Sequence, residues 1–245
     1  MARDFVGHYE GYYEGTSEWR ELCAVAKAGN VERLWTDVGR PVRGTRVLEI
    51  GCGEGAVALE LQRRGFTVEG AEVSASGAEA ARSRGLTVMH YDGEELPHDD
   101  DAFDLAVLSH VIEHVANPRA VLAQAQRVAR WVFVEVPIED TWRLPDDFEW
   151  TDLGHINTYS VKTARHLLQS SGIEVRAEVV TNYPRAESQY RLGRAKGAAH
   201  WAVRDTALRL APALARRLFV YHAAYLGEVE RDSTLARRAP GTPPG

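Results

Sequence analysis

The chain has 245 residues, an apolar share of 44% and a formal net charge of −6 at pH 7. That length suffices to bury a core without disulfides, and the negative charge excludes nucleic-acid binding through bulk charge. Cys23 and Cys52 have neither disulfide-framework nor metal-site spacing, and no apolar run is long enough to cross a bilayer. The sequence therefore predicts a cytoplasmic globular protein without stable membrane insertion.

Residues 1–40 are predicted to form a helical cap or lid, and Pro41 with its neighbouring glycines ends that segment. From 41 to 182, short apolar runs alternate with helical patterns, which predicts a parallel sheet with helices on both faces. The predicted strands are 46–50, 67–73, 87–91, 105–108, 131–136 and 173–180, and the predicted helices are 55–64, 76–84, 118–127 and 161–170.

The C-terminal part differs in composition from this alternating region. Residues 183–235 are dominated by Ala, Leu and Arg, which predicts a helical extension outside the sheet. The arginines of this part are expected to lie on a solvated basic face of the helices or at the interface of a homodimer. The Pro- and Gly-rich residues 236–245 are expected to be disordered.

Gly51, Gly53 and Gly55 stand where the first predicted strand turns into a helix. Glycines permit a tight turn and the close approach of a ligand, and the helix N-terminus offers free N–H donors. Such a loop can hold a pyrophosphate or the carboxylate of a methionine group. The pattern Gly51-x-Gly53-x-x-Ala56, with Glu72 ending the next strand, also satisfies the dinucleotide fingerprint. A nicotinamide or flavin enzyme therefore stays open at this point.

Two further carboxylates help to separate these cofactors. Glu49 lies directly before the glycine loop, where it would repel a pyrophosphate but suits a cationic amino group. Asp92 and Gly93 follow the third predicted strand, and a carboxylate beside a backbone N–H can recognise adenine. Both features favour a cofactor that carries an amino group and an adenine.

A family resemblance rests on four motifs that follow one another along the chain. They are Val47–Gly55, Gly70–Ser74, Asp92–Pro97 and Phe103–Pro118. Together they resemble the class I S-adenosylmethionine-dependent methyltransferases. The similarity is closest to the branch with the ubiquinone-biosynthesis O-methyltransferases and many small-molecule enzymes of bacterial secondary metabolism. It implies a Rossmann-like α/β fold, with a mostly parallel central sheet, helices on both faces, an N-terminal helical cap and a C-terminal helical extension.

The resemblance also implies roles for single residues. The glycines line the methionine end of the cofactor and Glu49 supports its amino group, while Glu72 holds the ribose hydroxyls. Asp92 with the Gly93 amide faces adenine, and Ser109 lies beside the sulfonium. The full set of expected cofactor-binding residues is Glu49, Gly51, Cys52, Gly53, Gly55, Glu72, Val73, Asp92, Gly93 and Ser109.

The acceptor side is less determined by the sequence. His110, Glu113 and His114 have the spacing of one helix face if a helix begins directly after the fourth strand, and His155 follows the fifth strand. Three hypotheses stay open for these histidines. They pack around the cofactor loop, or one of His110, His114 and His155 is a general base, or His110, Glu113, His114 and His155 hold a divalent metal ion.

The preferred prediction is an S-adenosylmethionine-dependent methyltransferase that acts on a small-molecule acceptor at oxygen. Methylation at nitrogen or carbon, a nicotinamide-dependent oxidoreductase and a non-catalytic cofactor-binding module are the alternatives. The segment 140–152, with Trp142 and Trp150, is expected to form one wall of the acceptor pocket, and the N-terminal aromatic residues to form its lid.

Overall fold

A computed structural model describes residues 17–139 and 154–230 of the chain. The predicted pocket wall at Trp142 and Trp150, most of the N-terminal aromatic residues and the predicted disordered tail lie outside the described residues. The described helices are α1 (Glu18–Asp37), α2 (Ala56–Arg63), α3 (Ala75–Ser83), α4 (Pro118–Val128), α5 (Val161–Gln169), α6 (Arg185–Leu192), α7 (Arg194–Leu210) and α8 (Pro212–Leu218). The described strands are β1 (Arg46–Ile50), β2 (Thr67–Glu72), β3 (Val88–His90), β4 (Phe103–Ser109), β5 (Ala129–Ile138), β6 (Ile173–Thr181) and β7 (Tyr221–Val229).

The seven described strands form one sheet in the order β3-β2-β1-β4-β5-β7-β6. Neighbours from β3 to β5 run parallel, whereas β7 runs antiparallel to both β5 and β6. The chain leaves β1 toward β2 on one side and later reaches β4 on the other. This reversal opens a crevice at the carboxyl ends of β1 and β4, the place where open α/β sheets bind ligands. The predicted mostly parallel α/β sheet is confirmed.

The core consists of two apolar layers, one on each face of the sheet. Val47 belongs to the layer under α1, α2 and α3, whereas its neighbour Leu48 belongs to the layer under α4 and α5. Both faces of the central strands are therefore apolar, as expected for a sheet covered by helices on both sides. None of the helices in the described ranges is long and apolar enough to span a membrane.

Helix α1 packs on the sheet and on the loop after β1. Its Trp35 meets Trp131 of β5 edge to face, with ring centroids 5.8 Å apart. Near its other end, Arg20 binds both carboxylate oxygens of Glu54 at 2.8 Å. Glu54 lies within the glycine loop and is buried, so α1 is attached directly to that loop.

The expectation of helices throughout 183–235 is correct for α6, α7 and α8 but wrong for Tyr221–Val229, which form β7. This strand lies between β5 and β6, and all of its residues from 221 to 227 are buried. A strand covered on both faces shows no polar–apolar alternation, so its pattern cannot be told from that of a buried helix. Only its pairing with distant strands identifies it.

Candidate active site

The glycine loop has the conformation that its composition predicts. Gly51, Gly53 and Gly55 have φ values of 73°, 54° and 80°, in the left-handed region that disfavours other residues. A side chain at Gly51 would also collide with Val111, whose Cγ2 would lie 2.8 Å from an added Cβ. Glycine at this position therefore lets the loop between β1 and α2 pack closely against the turn after β4 at the carboxyl end of the sheet.

Cys52 contributes to this loop mainly through packing. Its side chain is buried, and its Sγ occupies the space left by Gly70 of β2, where an added Cβ would lie only 2.6 Å away. Burial raises the pKa of this thiol well above its ordinary value. Of the residues expected to bind the cofactor, Cys52 is thus the one whose side chain is placed in the core.

Glu49, the last residue but one of β1, is almost completely buried. Its Oε2 has no hydrogen-bond partner among the described residues. Burial raises the pKa of Glu49 to about 8, while the positive charge of Lys27 on α1 acts in the opposite direction. An orphaned buried carboxyl oxygen beside the glycine loop fits a cationic amino group.

Glu72 ends β2 and binds the backbone around it. Its Oε2 accepts a hydrogen bond from the N–H of Gly53 at 2.7 Å. Its Oε1 accepts from the N–H groups of Val73 and Ser74 at 3.0 and 2.9 Å. Burial raises the pKa of Glu72 in spite of these three bonds, which act to lower it. Glu72 therefore fixes the glycine loop against the end of β2, and contact with a ribose stays a prediction.

The remaining expected cofactor residues lie along the same edge of the sheet. Asp92 is exposed, and its Oδ1 accepts the N–H of Glu94 at 2.9 Å, which shapes the turn after β3. Gly93 has a φ of 88°, and Val73 lies beside it. Ser109 ends β4, and its hydroxyl is buried without a partner among the described residues. These positions surround the crevice between β1, β2, β3 and β4.

The turn after β4 differs from the helix expected there. Residues 110–117 contain no helix, and α4 begins only at Pro118, so His110, Glu113 and His114 do not lie on one helix face. His110 has a φ of 59°, uncommon for a residue with a side chain, and such strain is concentrated at functional sites. The turn nevertheless brings Nδ1 of His110 within 3.1 Å of Oε1 of Glu113, which is fully buried.

Residues 154–157, at the start of the second described range, are hydrogen-bonded to this turn. The N–H groups of Ile156 and Asn157 donate to the carbonyl of Glu113 at 2.8 and 3.0 Å. The side chain of Asn157 donates to the carbonyls of Ile112 and Val115. These bonds place His155 against His114, with ring centroids 4.7 Å apart.

His155 is paired with a carboxylate that the sequence analysis did not single out. Glu139 directly follows β5, and its two oxygens lie 2.9 and 3.1 Å from Nδ1 of His155. Burial alone would lower the pKa of His155, but the hydrogen bond and charge of Glu139 raise it above its ordinary value. For His114, burial is the dominant effect and lowers the pKa.

A second cluster lies on the other side of His110. Nε2 of His110 is 3.5 Å from Oε1 of Glu135 on β5, and Nδ1 of His222 on β7 is 3.8 Å from the same oxygen. Asn30 of α1 donates to the other oxygen of Glu135 at 2.7 Å. The four residues of the predicted metal site are thus divided. Glu113, His114 and His155 form one group of donor atoms, and His110 forms another with Glu135 and His222.

Sequence reasoning missed Glu135, Glu139 and Asn30, and it left open whether the C-terminal extension folds back far enough to bring His222 to the site. Glu135 lies in β5 and Glu139 directly after it, and this largely apolar run was interpreted only as a buried strand. Their position as acids near the carboxyl end of β5 is the signal that could have identified them. His222 and Asn30 lie far away in the chain, in an expected helical extension and in the predicted cap, and no local signal connects them to the site.

A family model described as a methyltransferase domain matches residues 19–178, from α1 into β6. The ubiquinone biosynthesis O-methyltransferase of Paracidovorax citrulli is 31% identical over 134 residues, which cover 50% of this chain and 55% of that protein. The demethylmenaquinone methyltransferase of Corynebacterium kroppenstedtii is 26% identical, over 48% of this chain and 53% of that protein. The chain thus spans about half the length of these curated relatives.

Solved structures show the same architecture at low identity. Geranyl diphosphate C-methyltransferase from Streptomyces coelicolor, crystallised with Mg²⁺, geranyl diphosphate and S-adenosyl-L-homocysteine, superposes with a TM-score of 0.63. Its identity is 12%, and the match covers 94% of this chain and 100% of that one, so the likeness concerns the fold alone. With a matching family model over more than half of its residues and this fold, the chain belongs to the class I S-adenosylmethionine-dependent methyltransferases.

Proposed function

We propose that the protein methylates a hydroxyl group of a small-molecule acceptor, with S-adenosylmethionine as donor and His155 as general base. The observation that carries the proposal is the pair formed by His155 and Glu139 at the carboxyl edge of the sheet. The matching family and the quinone methyltransferases among the relatives support the class of reaction. A nicotinamide enzyme loses its support, because the glycine loop belongs to a methyltransferase domain.

The residues around the glycine loop fit the donor. The buried, orphaned Oε2 of Glu49 beside the glycine loop suits its amino group. When bound, S-adenosylmethionine supplies an activated methyl group on a sulfonium, and the sulfur keeps the electron pair of the broken C–S bond. Asp92 and Glu72 lie where adenine and ribose would follow, at the ends of β3 and β2.

An acceptor hydroxyl becomes a good nucleophile when it loses its proton as the new C–O bond forms. With Nδ1 of His155 held by Glu139, the ring carries its proton on Nδ1 and leaves Nε2 as the base. The acceptor proton then goes to Nε2, and Glu139 stabilises the resulting imidazolium. The same arrangement of carboxylate, histidine and hydroxyl activates nucleophiles in other enzyme classes.

A divalent cation is the alternative means of activating the hydroxyl. Glu113, His114 and His155 each offer one ligand atom within 4.8 Å of the others, and Oε2 of Glu113 lacks a hydrogen-bond partner among the described residues. The donor set therefore fits a cation, which would be held by these three residues and would polarise the acceptor oxygen. Retention of full activity after chelation, with no metal in elemental analysis, would exclude this alternative.

The test compares two variants of the pair with one distant control. His155→Gln is expected to lower kcat about 10²-fold or more, the usual contribution of a general base, and Glu139→Gln about 10-fold. His166→Gln, an exposed histidine of α5, is the matched control and should leave kcat unchanged. S-adenosylhomocysteine formation is measured with simple phenols and catechols as acceptors, and cofactor affinity by calorimetry.

The outcomes separate the hypotheses. Unchanged affinity for S-adenosylhomocysteine together with a lowered kcat supports His155 as base. Wild-type kcat in His155→Gln would remove that role. If the wild-type protein binds S-adenosylhomocysteine but methylates neither these acceptors nor any component of a cell extract, the non-catalytic module is favoured instead. A product methylated at nitrogen or carbon would correct the choice of oxygen.

A further inference from the structure

The cluster of His110, Glu135 and His222 is built from three separate strands. His110 follows β4, Glu135 lies on β5 and His222 lies on β7, so the sheet itself holds the three side chains together. Glu135 is fully buried and His222 nearly so. Such a group of polar side chains in the interior is costly unless something satisfies it.

The cluster leaves several of its polar atoms unsatisfied. Oε1 of Glu135, Nε2 of His110 and Nε2 of His222 are buried and have no hydrogen-bond partner within the described part of the chain. The contacts that do exist are too long for hydrogen bonds, since 3.5 and 3.8 Å separate Oε1 of Glu135 from the two imidazoles. The three side chains thus face one another without bonding directly.

These separations suit an ion placed between the donors. Two ligand atoms that each lie ~2.1 Å from a zinc-like ion are roughly 3.4 Å apart at a tetrahedral angle and farther apart at wider angles. The three residues each offer one ligand atom, and these atoms all lie within 4.8 Å of one another. Two imidazole nitrogens and one carboxylate oxygen form a donor set typical of divalent transition metals rather than of calcium or magnesium.

The surroundings of the cluster resemble those of metal-binding histidines and carboxylates. Nδ1 of His110 lies 3.1 Å from Oε1 of Glu113, so a carboxylate faces the ring nitrogen opposite the cluster. Asn30 holds the second oxygen of Glu135 at 2.7 Å and leaves Oε1 for the cluster. Such outer contacts orient the ligands of metal sites.

Charge points the same way. Glu113 and Glu135 are both fully buried carboxylates on either side of His110. The positive side chains that act on the cluster are Lys27 of α1 and, at His222, also Arg204 of α7. A divalent cation between the three ligands would balance the second carboxylate. Tyr183 covers His222 from the β6 side, with ring centroids 4.3 Å apart, and shields the cluster.

We propose that His110, Glu135 and His222 form a binding site for one divalent transition-metal ion of the zinc class, separate from the group of Glu113, His114 and His155. Three protein ligands leave a coordination position open, as in catalytic rather than structural zinc sites. The ion links β4, β5 and β7 at the carboxyl edge of the sheet.

The experiment titrates chelator-treated protein with Co²⁺ and follows its visible absorption, and then measures Zn²⁺ affinity by competition with a chromophoric chelator. One equivalent of Co²⁺ with the bands of a four- or five-coordinate site is expected. His222→Gln should weaken Zn²⁺ binding about 100-fold or more, and Asn30→Ala, which leaves all three ligands in place, about 10-fold. Neither measurement needs the donor, the acceptor or methyl transfer, so it stands apart from the test of the proposed function.

His155→Gln is the matched control, because it alters the neighbouring group but none of the three ligands. An unchanged Zn²⁺ affinity of this variant supports the proposal. Binding of two ions by the wild type also supports it, if His222→Gln loses one of them and His155→Gln loses the other. Absence of stoichiometric Co²⁺ binding by the wild type would overturn it, and so would binding that depends on His155 but not on His222. Circular dichroism and S-adenosylhomocysteine binding verify that each variant is folded. If His222→Gln does not fold, the Zn²⁺ affinity of Asn30→Ala decides the test.

Discussion

Glu49 lies near the end of β1 with almost no solvent contact, and burial raises its pKa to about 8. At neutral pH the free protein therefore holds this carboxyl group mostly in its protonated form. A cationic amino group placed beside it would favour the ionised form, because opposite charges attract strongly where water is excluded. Binding of the cofactor's amino group beside Glu49 is therefore expected to release a proton.

The affinity for S-adenosylhomocysteine is expected to rise with pH, by up to about 10-fold per unit between pH 6 and 8, and to level off above the pKa of Glu49. The sign follows because binding releases a proton wherever the free carboxyl is protonated. Calorimetry in two buffers of different ionisation enthalpy measures that proton. Glu49→Gln should weaken binding at pH 8 and abolish the pH dependence, whereas a flat profile in the wild type would contradict this role.

Among the elements, α1 has the most direct influence on the glycine loop. It reaches that loop through Arg20 and Glu54, the sheet through Trp35 and the second cluster through Asn30. Arg84 after α3 also approaches Glu54, at 3.9 Å. Because Glu54 is buried, its ion pairs with these arginines hold α1 and the loop in one arrangement.

Arg20→Met is expected to reduce the free energy of unfolding by about 3 kcal/mol, because it leaves the buried carboxylate of Glu54 without its closest partner. Arg33→Met on the same helix is the matched control. It removes a mostly exposed pair with Asp37, at 3.7 Å, and should change the stability by less than about 0.5 kcal/mol. Urea unfolding measures both, and equal effects of the two variants would contradict a special role for Arg20.

For the whole molecule, ligand binding and stability are linked because the site is assembled from strands across the entire sheet. A ligand that binds only the folded state stabilises it by an amount that grows with the logarithm of the ratio of its concentration to its Kd. The crevice between β1 and β4 and the histidine groups at β4, β5 and β7 exist only when the strands are paired. The cofactor that fits this crevice should therefore be recognisable by thermal stabilisation alone.

S-adenosylhomocysteine at about 100 times its Kd is expected to stabilise the protein by about 2.7 kcal/mol, which raises Tm by roughly 5–10 °C. NAD at the same concentration should leave Tm unchanged, since the glycine loop belongs to a methyltransferase domain. Differential scanning calorimetry makes the comparison. Stabilisation by NAD without stabilisation by S-adenosylhomocysteine would overturn the choice of cofactor.

The parallel part of the sheet and the place of the glycine loop could be predicted from the sequence. Runs such as 46–50 and 105–108 are short and apolar, and they alternate with helical patterns, so their type and direction follow from local order. The sequence predicts that Glu49, Glu72 and Asp92 lie near one another, because the carboxyl ends of parallel strands meet at one edge of the sheet. These conclusions need only neighbouring residues and the rules of chain connection.

The tertiary structure alone decided the other half of the site. β7 inserts between β5 and β6, and this long-range antiparallel pairing places His222 beside Glu135, while α1 brings Asn30 to the same carboxylate. Likewise, the turn after β4 joins His110 to Glu113 without the expected helix. Local periodicity carries no information about which distant segments meet, because burial on both faces removes the polar–apolar alternation that would mark a strand and its partners.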